Sequence, residues 1–83
     1  MVVSGHVQGV GFRYAIASAA RSRGVGGSVR NRPDGSVEAV FEGDPEAVES
    51  LVRLCRQGPR GADVSRVEVA DETPAGLVGF QIR

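Results

Sequence analysis

The sequence predicts an α+β fold in which two helices lie on one face of a mostly antiparallel sheet. Short apolar segments with the alternation typical of strands are bounded by turns rich in glycine and proline. Two longer segments instead repeat apolar residues every three or four positions, as helices that pack on a sheet do. The length of 83 residues predicts a single domain over 1–83.

The elements predicted in the first half are a strand over 1–4, a loop over 5–11, a helix over 12–23 and a strand over 25–32. Phe12, Ile16, Ala19 and Ala20 form one apolar stripe of the helix, and Gly24 is placed to end it. This half therefore predicts a β-α-β unit.

The elements predicted in the second half are a hairpin turn over 32–36, a strand over 37–42, a helix from Pro45, a loop over 57–62, and strands over 64–69 and 79–83 around the Thr-Pro-Ala-Gly segment at 73–76. Pro33 and Gly35 are typical of tight hairpins, and Asp44 is a good N-cap residue. The helix stripe consists of Val48, Leu51, Val52 and Cys55. The order β-α-β-β-α-β, with a terminal strand, predicts a ferredoxin-like sandwich.

Charge is distributed unevenly along the chain although the net charge is zero. Residues 1–33 contain five arginines and no acidic residue, whereas all ten acidic residues follow, together with the other five arginines. One interpretation is two differently solvated faces. The other is an anion site in the N-terminal part, because guanidinium forks fit phosphate oxygens and nearby carboxylates would weaken such a site.

The segment HVQGVGFR, residues 6–13, is the strongest candidate for that anion site. Gly9 and Gly11 allow the backbone to curl before the predicted helix, whose first amides and dipole favour an anion. Arg13 is placed to add a bidentate contact, and Gln8 to orient the loop or touch the ligand. The spacing alone fits a plain strand–helix turn equally well, because it lacks the GK[ST] and GxGxxG signatures.

Asn31 is the second candidate, because asparagine is uncommon in strands. It is also a good turn-initiating residue before the predicted hairpin. In a β-α-β-β fold, however, the second strand can lie beside the end of the first. An uncharged amide there is able to hold a water in line with a bound phosphoryl group.

Three other residues have weaker claims to a catalytic role. His6 at a strand end is typical of a solvated residue, and Ser4 has no evident base partner. Cys55 precedes Arg60 by five places, where a cysteine phosphatase signature needs six. No His, Cys, Asp or Glu cluster has metal-ligand spacing, so the sequence predicts metal-free, non-covalent chemistry.

Three segments, SGHVQGVGFR, GGSVRNRPDGSVEAVFEGD and GPRGADVSRVEV, resemble the acylphosphatase family over nearly the whole chain. The resemblance implies metal-independent hydrolysis of an acyl phosphate to a carboxylate and inorganic phosphate, without a cofactor or covalent intermediate. It implies that Asn31 orients the attacking water. It also implies that phosphate is bound by Arg13 and the loop formed by Gln8, Gly9, Val10, Gly11 and Phe12.

The sequence departs from the family at two places. Ser28 stands where members usually carry a large aromatic residue, and only Met1 to Ser4 precede Gly5 in a strand that is generally longer. We expect lower stability as a result.

Two other functions remain open at this point. One is a module of the hydrogenase-maturation carbamoyltransferase, a much longer protein. The other is a binding module that uses the sheet for RNA, although the chain lacks the aromatic residues of an RNA-recognition motif and has no net positive charge. With one cysteine and no long apolar segment, we expect a cytoplasmic monomer with no membrane or nucleic-acid partner.

Overall fold

A computed structural model describes residues 1–71 and 75–83. Its strands are β1 (Val2–His6), β2 (Gly26–Asn31), β3 (Val37–Glu42), β4 (Asp63–Glu68) and β5 (Phe80–Ile82), and its helices are α1 (Phe12–Ser22) and α2 (Pro45–Gln57). The first half of the predicted 73–76 connection lies outside the described residues.

The five strands form one sheet in the order β4-β1-β3-β2-β5. The pairs β1–β4, β1–β3 and β2–β3 are antiparallel, and only β2–β5 is parallel. The predicted ferredoxin-like arrangement is therefore confirmed. Because β3 lies between β1 and β2 and is antiparallel to both, the carboxyl ends of β1 and β2 meet at the same edge of the sheet.

The core lies between the sheet and the two helices. Val3, Val29, Val37 and Ala39 contribute from one face of the sheet. The helices contribute Phe12, Ile16, Ala17, Ala20, Leu51 and Cys55. Ala17 replaces the predicted Ala19 in the fully buried stripe, and Val52 is only half-buried. Because Phe12 is both a core residue and the first residue of α1, the core positions the start of this helix and the end of the loop before it.

The strand β1 is longer at its carboxyl end than predicted, so the prediction that residues 5–11 form the loop is wrong at its start. Gly5 pairs with Val64 and His6 with Asp63, after a register shift between Ser4 and Gly5. Gly5 predicts a strand end, because glycine is uncommon inside strands. Pairing with β4 nevertheless continues β1 through the register shift at Gly5. The loop proper therefore begins at Val7.

The hairpin between β2 and β3 follows the predicted turn. The amide of Arg32 donates to the carbonyl of Ser36 at 2.8 Å, and that of Gly35 donates to the carbonyl of Arg32 at 3.1 Å. Asp34 Oδ1 accepts from the amide and the hydroxyl of Ser36 at 2.9 and 2.5 Å. These bonds fix the end of β2, where Asn31 lies.

Ser28 lies opposite Val40 in the β2–β3 register and is buried. Together with Leu77, these residues line a groove of about 790 Å³. The groove is at the position where the family resemblance implies a large aromatic side chain. Across residues 1–71 and 75–83, neither helix has the length and apolar character needed to cross a membrane.

Candidate active site

The loop between β1 and α1 bends through two glycines in the left-handed region. Gly9 has φ 74° and Gly11 has φ 76°, and Gly11 is the N-cap residue of α1. A Cβ built on either glycine would have no atom within 4 Å, so the loop is open to solvent on that side. No side chain caps the helix, and its first turn contains no acidic residue. The helix therefore begins with unpaired donors and an uncompensated positive end.

The backbone amides of this loop have no internal acceptor. Within the described residues, no carbonyl or side-chain oxygen accepts from the N–H groups of Gln8, Gly9, Val10, Gly11 and Phe12. Consecutive unpaired amides at a helix N-terminus bind phosphate and other anions. The predicted loop thus has the donor set of an anion site.

A cavity of about 170 Å³ lies at this loop. It is lined by Val7, Gly9, Gly11, Phe12, Arg13, Tyr14 and Asn31. The cavity therefore brings together Arg13 and Asn31, which are 18 positions apart in sequence. Arg13 supplies a positive charge, and no lining residue is acidic.

Asn31 is the last residue of β2 and pairs with Val37 of β3. Its Oδ1 atom is buried and has no hydrogen-bond partner in the described part of the chain. The alternative in which the Asn31 oxygen bonds the backbone of its own turn is therefore wrong; a different side-chain bond, from the amide of Ser36 to Asp34, stabilises this turn. An unpaired buried amide oxygen is costly unless a ligand or water completes it.

Arg13 is half-buried, lines the cavity and contacts the residue that follows the last strand. Its Nη1 donates to the backbone oxygen of Arg83 at 3.3 Å. In the same way, Arg21 donates from Nε and Nη2 to the carbonyl of Phe80 at 3.1 and 2.9 Å. Sequence reasoning missed these contacts with β5 and with the residue after it, because backbone acceptors 59 and 70 residues away leave no signal in a single sequence.

The side chain of Gln8 is used inside the protein. Its Nε2 donates to the carbonyl of Arg32 at 2.8 Å and to that of Ser36 at 3.0 Å. The sequence allowed Gln8 either to orient the loop or to touch the ligand, and the side chain takes the first role. It ties the loop to the hairpin that follows Asn31. The backbone amide of Gln8 remains a candidate donor to phosphate.

Val10 and Phe12 contribute to the loop chiefly by packing. Val10 is half-buried against the core and does not line the cavity, whereas Phe12 is 2% exposed and lines it from the core side. His6 is exposed and lies outside the cavity lining. Cys55 is buried in the core, and this burial raises the pKa of its thiol to about 12, so it is not available as a thiolate nucleophile.

Comparison with known proteins identifies one family. The acylphosphatase family model matches residues 1–82. A protein named acylphosphatase from Thermococcus kodakarensis is 58% identical over 80 residues, which are 96% of this chain and 88% of that protein. The crystal structure of acylphosphatase from Bacillus subtilis matches with a TM-score of 0.93 at 37% identity, covering 99% of this chain and 92% of that one.

A much larger protein contains the same fold as one part. The crystal structure of full-length HypF in its phosphate- and nucleotide-bound form matches with a TM-score of 0.89 at 25% identity. The match covers 99% of this chain but only 11% of that chain. The likeness to the two acylphosphatases above extends instead over nearly their whole length.

Proposed function

The chain belongs to the acylphosphatase family, whose members hydrolyse acyl phosphates, and we propose that the cavity at the β1–α1 loop carries out this reaction. One observation carries the proposal. A cation, a row of unpaired amides and an unpaired buried carboxamide oxygen line or border one small cavity. The first two suit a phosphoryl group, and the third suits one water molecule.

The phosphoryl oxygens are bound by the loop. The amides of Gln8 through Phe12 donate to them, and the guanidinium of Arg13 adds charge-assisted hydrogen bonds. Within the described residues, only one contact, from Nη1 to Arg83, uses this guanidinium, so other N–H groups remain for the ligand. Negative charge is therefore held by groups that are fixed before substrate binds, which is the main requirement for stabilising a phosphoryl-transfer transition state.

The attacking water is oriented by the carboxamide of Asn31. Its oxygen accepts a hydrogen bond from the water and turns a lone pair of the water toward phosphorus. The water forms a new P–O bond, the bond between phosphorus and the acyl oxygen breaks, and that electron pair leaves on the carboxylate. The water protons pass to phosphate and solvent. Because a carboxylate is a good leaving group, neither a strong general acid nor His6 is required.

The residues of this site also bear on whether the reaction needs a metal or a cofactor. Positive charge at the phosphoryl group comes from Arg13 and the helix start, so we propose a reaction that needs no metal or cofactor. We further propose that the chain acts as a cytoplasmic monomer on small acyl phosphates. Its single buried cysteine suits a reducing cytoplasm, and its net charge of zero gives no electrostatic attraction to nucleic acid.

Hydrolysis of benzoyl phosphate in ¹⁸O-labelled water, with EDTA present, tests the reaction. We expect enzymatic turnover in EDTA, with the label in inorganic phosphate, because water attacks phosphorus. The spontaneous reaction without protein is the control. Label in benzoate, or activity that EDTA removes and a divalent cation restores, would contradict the proposal.

A further inference from the structure

We propose that Tyr14 is a specificity-determining residue whose ring contacts the acyl group, so that acyl phosphates with a planar, apolar acyl group are favoured. This inference rests on the proposed function, because it concerns the part of the substrate that leaves. Tyr14 lines the cavity at the loop, yet its side chain is 70% exposed. The hydrolysis itself does not use this large exposed aromatic side chain beside the small cavity.

The depths of the lining residues determine which end of the substrate meets Tyr14. The Oδ1 of Asn31 is buried and Tyr14 is exposed, so we place the attacking water on the Asn31 side of the cavity, away from the ring. Water and leaving group lie on opposite sides of phosphorus in an in-line displacement. The acyl group is therefore directed toward the rim, where Tyr14 lies.

Tyr14 is the only exposed side chain among the described residues that line this cavity. Val7 and Phe12 are buried, Arg13 and Asn31 are half-buried, and the other two lining residues are glycines. The glycines present no side chain, so the ring is the apolar surface that an emerging acyl group meets. Without a carboxylate in the lining, the rim does not select for a cationic acyl group.

Tyr14 lies in the first turn of α1, directly after the loop that borders the cavity. It is the third residue of the helix that starts at Phe12. Side chains on a helix lean toward the helix N-terminus, which here is the mouth of the cavity. Within the described residues the phenol hydroxyl makes no hydrogen bond, so the ring rather than the hydroxyl is the contact we assign.

The size of the effect follows from contact between a ring and a planar acyl group. Aromatic pairs contribute about 1–1.4 kcal/mol beyond the area they bury, which corresponds to a change of fivefold to tenfold in affinity. The contact is present before and during bond cleavage, so it alters KM and leaves kcat nearly unchanged. A methyl group is too small to cover the ring and gains little from it.

The test compares benzoyl phosphate with acetyl phosphate for the wild-type chain, Tyr14→Ala and the matched control Tyr14→Phe. For Tyr14→Ala we expect KM for benzoyl phosphate to rise about fivefold to tenfold, with a change of less than about twofold for acetyl phosphate. For Tyr14→Phe we expect wild-type values for both substrates. Because Tyr14 is largely exposed, we expect all three proteins to fold, and their melting curves check this.

The outcomes separate this inference from the proposed function. Equal losses on both substrates, or no loss on either, would overturn the role of Tyr14 while wild-type turnover still supports acyl phosphate hydrolysis. A loss in Tyr14→Phe equal to that in Tyr14→Ala would assign the effect to the hydroxyl and also overturn it. If the wild-type chain hydrolysed neither substrate, the proposed function and this inference would both be wrong.

Discussion

Arg13 and Asn31 line the same cavity but are held in different ways. The guanidinium of Arg13 donates one exposed hydrogen bond, at 3.3 Å, to the backbone oxygen of Arg83, whereas the oxygen of Asn31 has no partner in the described part of the chain. In our account, Arg13 binds phosphate in the ground state and in the transition state. Asn31 contacts only the water. Substitutions at both positions should therefore lower kcat, but only a substitution of Arg13 should weaken phosphate binding.

Replacement of Arg13 should remove both binding and catalysis. For Arg13→Ala we expect kcat to fall by about 10²–10³-fold, because one preorganised donor to the developing charge is lost. Inhibition by inorganic phosphate should weaken as well. Arg13→Lys should also be a poor enzyme, since a point charge does not reproduce the guanidinium fork. Near-wild-type turnover of benzoyl phosphate by Arg13→Ala, measured on protein with an unchanged melting curve, would contradict the role given to Arg13.

Sequence reasoning at the residue scale was strongest where the side chain faces the cavity. The candidates Arg13 and Asn31 line it, as do Gly9 and Gly11. It was weakest where a side chain pairs with distant backbone. The two carbonyls that hold Gln8 belong to residues 24 and 28 positions later, and backbone groups are present at every position of a sequence. Such contacts become visible only when the fold brings the segments together.

At the scale of elements, the start of α1 depends on a glycine that tolerates positive φ. Gly11→Ala would place a residue with a Cβ in the left-handed region, at a cost of about 1–2 kcal/mol, at a position that lines the cavity. Gly24, at the other end of the helix, is a matched control with φ 68° and equally open surroundings. We expect both variants to lose similar stability, but only Gly11→Ala to lose activity.

Thermal unfolding and benzoyl phosphate turnover, measured on both variants, check this expectation. Gly24 is not among the residues that line the cavity, so its substitution should leave kcat/KM within about twofold of the wild-type value once the protein is folded. If Gly11→Ala lost no more activity than Gly24→Ala, the loop amides would not be the phosphate donors.

The order and type of the strands and helices were predicted correctly from the sequence pattern, whereas several of their first and last residues were not. The strand β3 has its predicted bounds, and α2 starts at Pro45 as the Asp44 cap indicated; the Asp44 side chain accepts from the amide of Glu46 at 3.0 Å. The carboxyl end of β1 was missed because pairing with β4 continues through a register shift. Strand ends are set by the partner strand, which a local pattern does not contain.

At the scale of the whole molecule, an ion pair and the hydrogen bonds of a turn make the free energy of unfolding depend on pH. Arg30 Nε donates to Glu38 Oε1 at 2.8 Å across β2 and β3, and this bond holds the pKa of Glu38 below its usual value of 4.5. Hydrogen bonds from the hydroxyl and amide of Ser36 likewise lower the pKa of Asp34. Both carboxylates are therefore more stable as anions in the folded protein than in the unfolded chain.

The sign of the pH dependence follows from these shifts. Their stabilisation is fully present above the unfolded-state pKa values of about 4.5 for Glu38 and about 3.8 for Asp34. It is lost as the pH falls through the lower folded-state values, because the unfolded chain takes up protons first. We expect the free energy of unfolding in urea to decrease below about pH 4.5, and to decrease less steeply in Glu38→Gln. An equal dependence on pH in the variant and the wild-type chain would show that Glu38 does not contribute.

The family, the fold and the activity expected from the resemblance are confirmed by the comparisons with acylphosphatases. Ser28 is the main departure of this sequence from the family pattern. It lines the groove beside Val40 and Leu77 where family members usually carry a large aromatic residue. The lower stability expected from it, and from the start of β1, stays a prediction. The roles of the individual site residues also stay proposals, and one of them is central.

That central claim is that Asn31 orients water while other groups hold phosphate, and Asn31→Ala tests it most directly. The measurement is kcat for benzoyl phosphate together with the competitive inhibition constant of inorganic phosphate, on wild-type and variant protein. We predict a fall in kcat of about 10²–10³-fold with an inhibition constant changed by less than about threefold, because water positioning is lost and the phosphate donors remain. A kcat close to that of the wild-type chain, or a parallel loss of phosphate binding, would contradict the account.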